Sequence, residues 1–245
     1  MSARVPARLS KITDQLCADL EPMKFKKPVA TVLNPLQHAR IPHRRFLARF
    51  GHGPKSTLLL GMNPGPWGMN QTGVPFGEVE HVRDWMGIEG KVVAPDNAPP
   101  NRPIQGFDCT RSEVSGARLW GWAKSRFKTP ERFFEDRFVL NYCPLIFMEE
   151  GGRNRTPDKL LVTERKALEA VCDDALAKYV DYFQPTMILG VGKFAEKRAK
   201  IVLGDDRDAP RIESIPHPSP ASPAANRGWA ALVDKRLKEL GIKWP

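Results

Sequence analysis

"LLLGMNPGPWGMNQTGVPFGEV", residues Leu58 to Val79, begins as an apolar run and ends as a loop of glycine and proline. The run has the length and apolar character of a buried strand. The stretch holds five glycines and three prolines, with Asn63 at the mouth of the loop. Glycine admits backbone shapes closed to other residues, and proline stiffens them, so this loop is built to hold the chain close to something. No Gly-Lys-Ser or Gly-Lys-Thr follows, which excludes a phosphate-cradling P-loop.

Working outward, four short apolar runs read as buried strands: Ser56–Leu60, Phe138–Leu140, Thr186–Leu189 and Arg211–Ile215. Helical patterns cover about Ala7–Leu20, Glu113–Phe127, Thr163–Phe183, Lys193–Leu203 and Ala225–Leu240. Within Thr163–Phe183 the apolar residues Leu168, Val171, Cys172, Ala175, Leu176 and Val180 recur at three- and four-residue steps, the period of an amphipathic helix. Strands alternating with long helices predict an α/β fold, three-layer α/β/α, around a central, mostly parallel four-stranded sheet. The proline-rich "VAPDNAPPNRPIQG" (Val93–Gly106) reads as a surface loop inside the domain. Residues 1–245 are therefore expected to form a single domain, with the N-terminal ~25 residues a helical extension.

With 245 residues, one core buries roughly three quarters of the unfolded chain's surface and needs no disulfide staple. Cys17, Cys109, Cys143 and Cys172 lie 92, 34 and 29 residues apart. No pair has the close spacing of a zinc site, so the expectation is reduced thiols and no metal. No stretch approaches the ~20 apolar residues of a membrane helix, and "MSARVPARLSKI" has no secretory apolar region. The expected product is soluble and intracellular: cytoplasm or nucleoid in a bacterium, nucleus in a eukaryote. Thirty-eight Lys and Arg against 28 Asp and Glu leave a net charge of +10. Such an excess suits a polyanionic partner, since neutralising phosphates releases counterions.

Three polar residues fall at strand ends. The first strand runs into Asn63, "FVLNYCPL" places Asn141 at the end of the second, and "IESIPHPSP" places His217 beyond the fourth. In parallel α/β sheets the ligand crevice lies outside the carboxyl ends of the strands, so these three are expected to converge. No serine or cysteine nucleophile sits beside the histidine, and no lysine stands out for a Schiff base. An asparagine amide orients water and reads the edge of a heterocycle; a histidine donates to charge growing on a leaving group. The set suits cleavage of an N-glycosidic bond to a nucleobase, with Phe76 offering a stacking face. Each residue also has an ordinary reading: asparagine as a cap, Phe76 as core, His217 as surface.

The stretches "GMNPGPWGMNQTGVPFGEV" (Gly61–Val79) and "HPSPASPAANRGW" (His217–Trp229) resemble the single-strand-selective monofunctional uracil-DNA glycosylase family, of the uracil-DNA glycosylase superfamily. Further similarity lies in "RSEVSGARLWGW" (Arg111–Trp122), "NYCPLIF" (Asn141–Phe147), "GGRNRTP" (Gly151–Pro157) and "GVGKFAEKRA" (Gly190–Ala199). It extends from about Asn34 to Ile242. The resemblance implies a monofunctional, cofactor-free DNA repair hydrolase that removes uracil from single- and double-stranded DNA and leaves an abasic site. It implies that Asn63 positions the water, His217 stabilises the departing base, Asn141 reads its edge and Phe76 stacks on it. Met62 and Gly65 would line the pocket near the 5-position, where the family tolerates oxidised substituents such as hydroxymethyl. Ser219, Pro220, Ala221, Ser222 and Asn226 would meet DNA, and Lys193 a DNA phosphate at its helix start. A monomer is expected.

Three departures stand out. Where vertebrate members carry an arginine four residues after the histidine, this chain has Ala221, then Ser222. A methyl group cannot fill the gap left by a flipped base, which predicts preference for single strands or mismatched uracil. Trp67 and Asn70 replace an expected phenylalanine and alanine, at what would be the pocket rim. Two other classes compete. "GVGKFA" (Gly190–Ala195) matches G-x-G-x-x-A, but the acidic residues that follow, Asp205 and Asp206, come early, and only one more strand remains. A damaged-base binder or a hypoxanthine-specific glycosylase is the third reading. "RIPHRR" (Arg40–Arg45) is similar to the basic-histidine loop of a DNA-capturing relative, but it precedes the Asn63 loop, so His43 reads as surface.

Overall fold

The computed structural model describes residues 4–204 and 209–245; Asp205 and Asp206 lie outside the described residues. Seven strands are present among them: β1 (Val29–Leu33), β2 (Thr57–Gly61), β3 (Arg137–Asn141), β4 (Ile146–Glu149), β5 (Asn154–Arg155), β6 (Met187–Val191) and β7 (Arg211–Ile215). β3, β2, β6 and β7 form, in that order, an all-parallel sheet. All four coincide with the apolar runs read from the sequence. β2 is buried at each of its five positions, so both faces of the sheet are covered. Phe138 of β3 stacks on Phe183 with ring centroids 4.7 Å apart and on Phe46 at 5.1 Å, anchoring an aromatic core beside the sheet.

The helices are Ala7–Leu20, Arg40–Phe50, Val114–Phe127, Val162–Phe183, Lys193–Leu203 and Trp229–Glu239, with shorter turns between them. Local chemistry sets several ends. The Glu113 side chain accepts from the Ser115 and Gly116 amides to start the third of these. Gln184, in a left-handed conformation, stops the fourth. Leu9, Ile12, Leu16 and Leu20 of the first helix join the main core.

Four features depart from the sequence reading. A second sheet, β1-β4-β5, is antiparallel; its strands are short and their apolar residues intermittent. Arg40–Phe50 is a helix, its charged half masking an apolar face of Phe46, Leu47 and Phe50. His43 is not a surface residue: it is buried on that face and its Nδ1 donates to the Gly73 carbonyl at 2.8 Å. The C-terminal helix is two, Pro223–Asn226 and Trp229–Glu239, broken where Gly228 takes φ 145°.

Candidate active site

The carboxyl ends of the parallel strands open into a cavity of about 490 Å³, within the range of small-ligand pockets. Met62, Asn63, Gly65, Phe76, Asn141, His217, Ser219 and Pro220 line it, so residues up to 158 positions apart in sequence (Met62 to Pro220) share one site. Ala221, Ser222, Asn226 and Lys193 do not line it. Lys193 is largely exposed, with Nζ 2.7 Å from Glu196. The structure adds Glu113, Ser115, Met69, Asn154 and Thr156 to the wall. Of the two rim residues expected from the sequence, Trp67 lies between the lining residues Pro66 and Gly68, but Asn70 is fully buried and away from the cavity.

Asn63 is held by its amide nitrogen. Nδ2 donates to Leu145 O at 3.3 Å and to Pro64 O at 3.4 Å. That fixes which end of the amide is which, and leaves Oδ1 as the acceptor offered to a ligand or water. The pairing of β2 with β3 continues past the strands, with Tyr142 N donating to Gly61 O and Cys143 N to Met62 O, both at 2.9 Å. The Asn63 and Asn141 loops are thereby one unit.

Asn141 leans across the end of β2. A Cβ on Gly61 would collide with Asn141 Oδ1 and come within 2.8 Å of the Phe76 ring, so only glycine fits there. Asn141 Nδ2 has just a thioether as partner, Met69 Sδ at 3.3 Å, which is a weak acceptor readily exchanged for a carbonyl. The next residue, Tyr142, donates its hydroxyl to Asp173 at 2.6 Å, and Arg198 pairs with Asp173 and Glu169. This network ties the end of β3 to two helices. Phe76 sits at φ +53°, strained for a side chain of its size, and Trp120 Nε1 holds its carbonyl at 2.9 Å.

His217 is set by its own loop. Its Nδ1 accepts from the Ser219 amide at 3.0 Å, so the neutral ring carries its proton on Nε2. Burial pushes its pKa below the ordinary histidine value, favouring that neutral form. The loop is braced from behind: Arg118 donates to Pro218 O at 2.9 Å and Asn226 Oδ1 at 2.8 Å, and Trp229 Nε1 to Pro216 O at 2.8 Å. Arg118 and Trp229 lie in quoted motifs, but their bracing role had no signal in the sequence. Burial likewise pushes the Glu113 carboxyl up, opposed by the two helix amides it accepts from. Among the described residues no three His, Cys, Asp or Glu side chains are grouped as a metal site, and no helix is long and apolar enough to cross a membrane.

The site therefore presents one fixed acceptor, one fixed donor, one adaptable amide and an aromatic face, the complement for a flat polar heterocycle. The profile of the Uracil DNA glycosylase superfamily matches residues 50–241. The chain is 46% identical over 228 residues to the "Single-strand selective monofunctional uracil-DNA glycosylase" of Rattus norvegicus and to its counterpart of Mus musculus, covering 93% of this chain and 82% of each relative. The chain belongs to the single-strand-selective monofunctional uracil-DNA glycosylase family. The Bos taurus relative of the same name is also 46% identical, over 224 residues, 91% of this chain and 82% of its own. The wild-type SMUG2 structure of Pedobacter heparinus shares the fold, with a TM-score of 0.66 at 18% identity over 94% of this chain and 97% of that one. The matched residues include both long motifs, the Asn63 loop and the His217 loop.

Proposed function

We propose that the protein is a monofunctional glycosylase that hydrolyses the N-glycosidic bond of uracil in DNA and leaves an abasic site. The fixed tautomer of His217 carries this reading: a neutral imidazole with Nε2–H as its free donor is suited to the carbonyl oxygen of a departing uracil anion. Asn63 Oδ1 accepts from the attacking water. An amide is too weak a base to deprotonate that water early, so bond cleavage runs ahead of attack and water traps the sugar cation. Asn141 donates through Nδ2 and accepts through Oδ1 at the uracil edge, and Phe76 stacks on the base. Once bonded to the cation the water becomes strongly acidic, and its proton passes to the departed uracil anion or to solvent, leaving the C1′ hydroxyl of the abasic site and neutral uracil.

Met62 and Gly65 face the 5-position in this pose and leave room for an oxidised substituent such as hydroxymethyl. The net charge of +10 serves the DNA backbone, giving binding that is salt-sensitive and mostly independent of sequence. The protein acts as a monomer, with Lys193 and the Ser219–Ser222 loop at the DNA.

The test is single-turnover excision on a single-stranded oligonucleotide bearing one uracil, with EDTA present. Strand breaks only after alkali are expected, and Asn63→Ala should lose turnover while keeping DNA affinity. Breakage without alkali, or an Asn63→Ala protein as fast as the parent, would refute the scheme. If uracil survives, inosine is the next substrate.

A further inference from the structure

Trp67 carries two guanidinium groups. Arg111 Cζ lies 4.4 Å from its ring centroid and Arg102 Cζ 5.5 Å away. Neither arginine is in an ion pair among the described residues. Two uncompensated cations held on one aromatic ring are unusual, since exposed guanidiniums usually find a carboxylate or move freely in water.

The arrangement is built. Pro66 and Gly68, on either side of Trp67, both line the cavity, as does Glu113 two residues after Arg111. The loops touch there: a Cβ on Gly68 would lie 2.8 Å from Glu113 Cγ. Arg102 comes from the proline-rich loop, which the fully buried Gln71 staples to the Asn63 loop. Gln71 Nε2 donates to Pro66 O at 2.9 Å and Pro103 O at 3.0 Å, while Oε1 accepts from the Gln105 and Gly106 amides at 2.8 and 3.0 Å. A side chain using all of its hydrogen-bonding capacity fixes the second arginine beside the pocket mouth.

We infer that Arg102 and Arg111, seated on Trp67, form a clamp for the DNA phosphate beside the extruded nucleotide. Stacking uses the flat face of each guanidinium and leaves edge N–H groups for phosphate oxygens, Arg102 Nη1 alone being spent in part on Asn101 O at 2.9 Å, and it lowers the entropy lost on binding. This inference rests on the proposed DNA substrate. It also supplies a grip on the strand where Ala221 supplies no wedge.

The experiment measures affinity of the full chain for a fluorescein-labelled, uracil-free single-stranded oligonucleotide across salt concentration, with uracil excision scored separately. Failure of the clamp and failure of the glycosylase reading thus appear in different signals. Arg102→Gln/Arg111→Gln should weaken binding about tenfold at low salt and lower the salt slope by about 0.7 per arginine. Trp67→Leu should weaken binding with both arginines present, and Trp67→Phe should restore it. A control, Lys11→Gln/Lys178→Gln, removes equal charge at the other end of the sheet and should do less. The clamp is overturned if the control loses as much as the arginine variant, or if the slope is unchanged.

Discussion

Two buried histidines hold the glycine–proline loop, and their protonation should loosen it. His38 Nε2 donates to Asn70 O and His43 Nδ1 to Gly73 O, each at 2.8 Å. The other ring nitrogens, His38 Nδ1 and His43 Nε2, are buried without a partner. A second proton there would have no acceptor, and burial pushes both pKa values down, that of His43 to about 4 from 6.5. The folded state therefore binds the proton less readily than the unfolded chain. Stability from His43 is complete above its unfolded pKa and is lost as pH falls toward about 4. Those two values imply a loss of about 2 kcal/mol by about pH 5 and about 3 kcal/mol by about pH 4. His43→Asn keeps a donor near the Nδ1 position but does not titrate. It should cost stability at neutral pH, while the gap between parent and variant narrows by those amounts on acidification. Urea unfolding followed by tryptophan fluorescence at each pH gives the gap directly. Parallel curves for the two proteins would show that His43 is not the group responsible.

His217→Ala should lower single-turnover excision by about 10²–10³, the loss typical of a preorganised donor to developing charge, with little change in DNA affinity; a rate within about threefold of the parent would exclude the role. Gly61→Ala should fold, at a cost of about 1–3 kcal/mol from overpacking, but its methyl displaces Asn141 and Phe76 together. Excision should fall steeply, and normal kinetics on a folded variant would contradict the shared geometry. Comparing single-stranded, U·G and U·A substrates should rank U·A slowest, because exposed Ala221 fills no vacated base position; equal rates on U·A and single strand would contradict this.

The sheet was legible because its strands are short apolar runs flanked by breakers, and parallel strands buried on both faces leave few other readings. Asn63, Asn141 and His217 were legible as a group because each follows such a run. Glu113, Asn154 and Thr156 were not. They reach the cavity from a helix cap, a two-residue strand and a turn, where polar residues are ordinary. His43 misled because its neighbours Arg44 and Arg45 are charged, and a helix hides one face behind such residues. The Arg102–Trp67–Arg111 contact joins loops with no periodicity, so only the folded chain brings it together.

The width of the sheet gives a second use to two glycines near the ends of its inner strands, Gly61 and Gly192, the latter also held at φ +94°. Asn141 and His217 come from or just beyond β3 and β7, the two outer strands, with β2 and β6 between them. Three inter-strand gaps separate those edges by about 14 Å at strand level, too far for both to line one small cavity without leaning inward. Each must lean inward over its neighbour. Asn141 does so over Gly61 of β2, in the space where a Cβ would stand. His217 does so over Gly192, just past β6, where a Cβ would lie 3.3 Å from the histidine Cβ. With no side chain at either position the edge residues come together, and the cavity occupies the space between them.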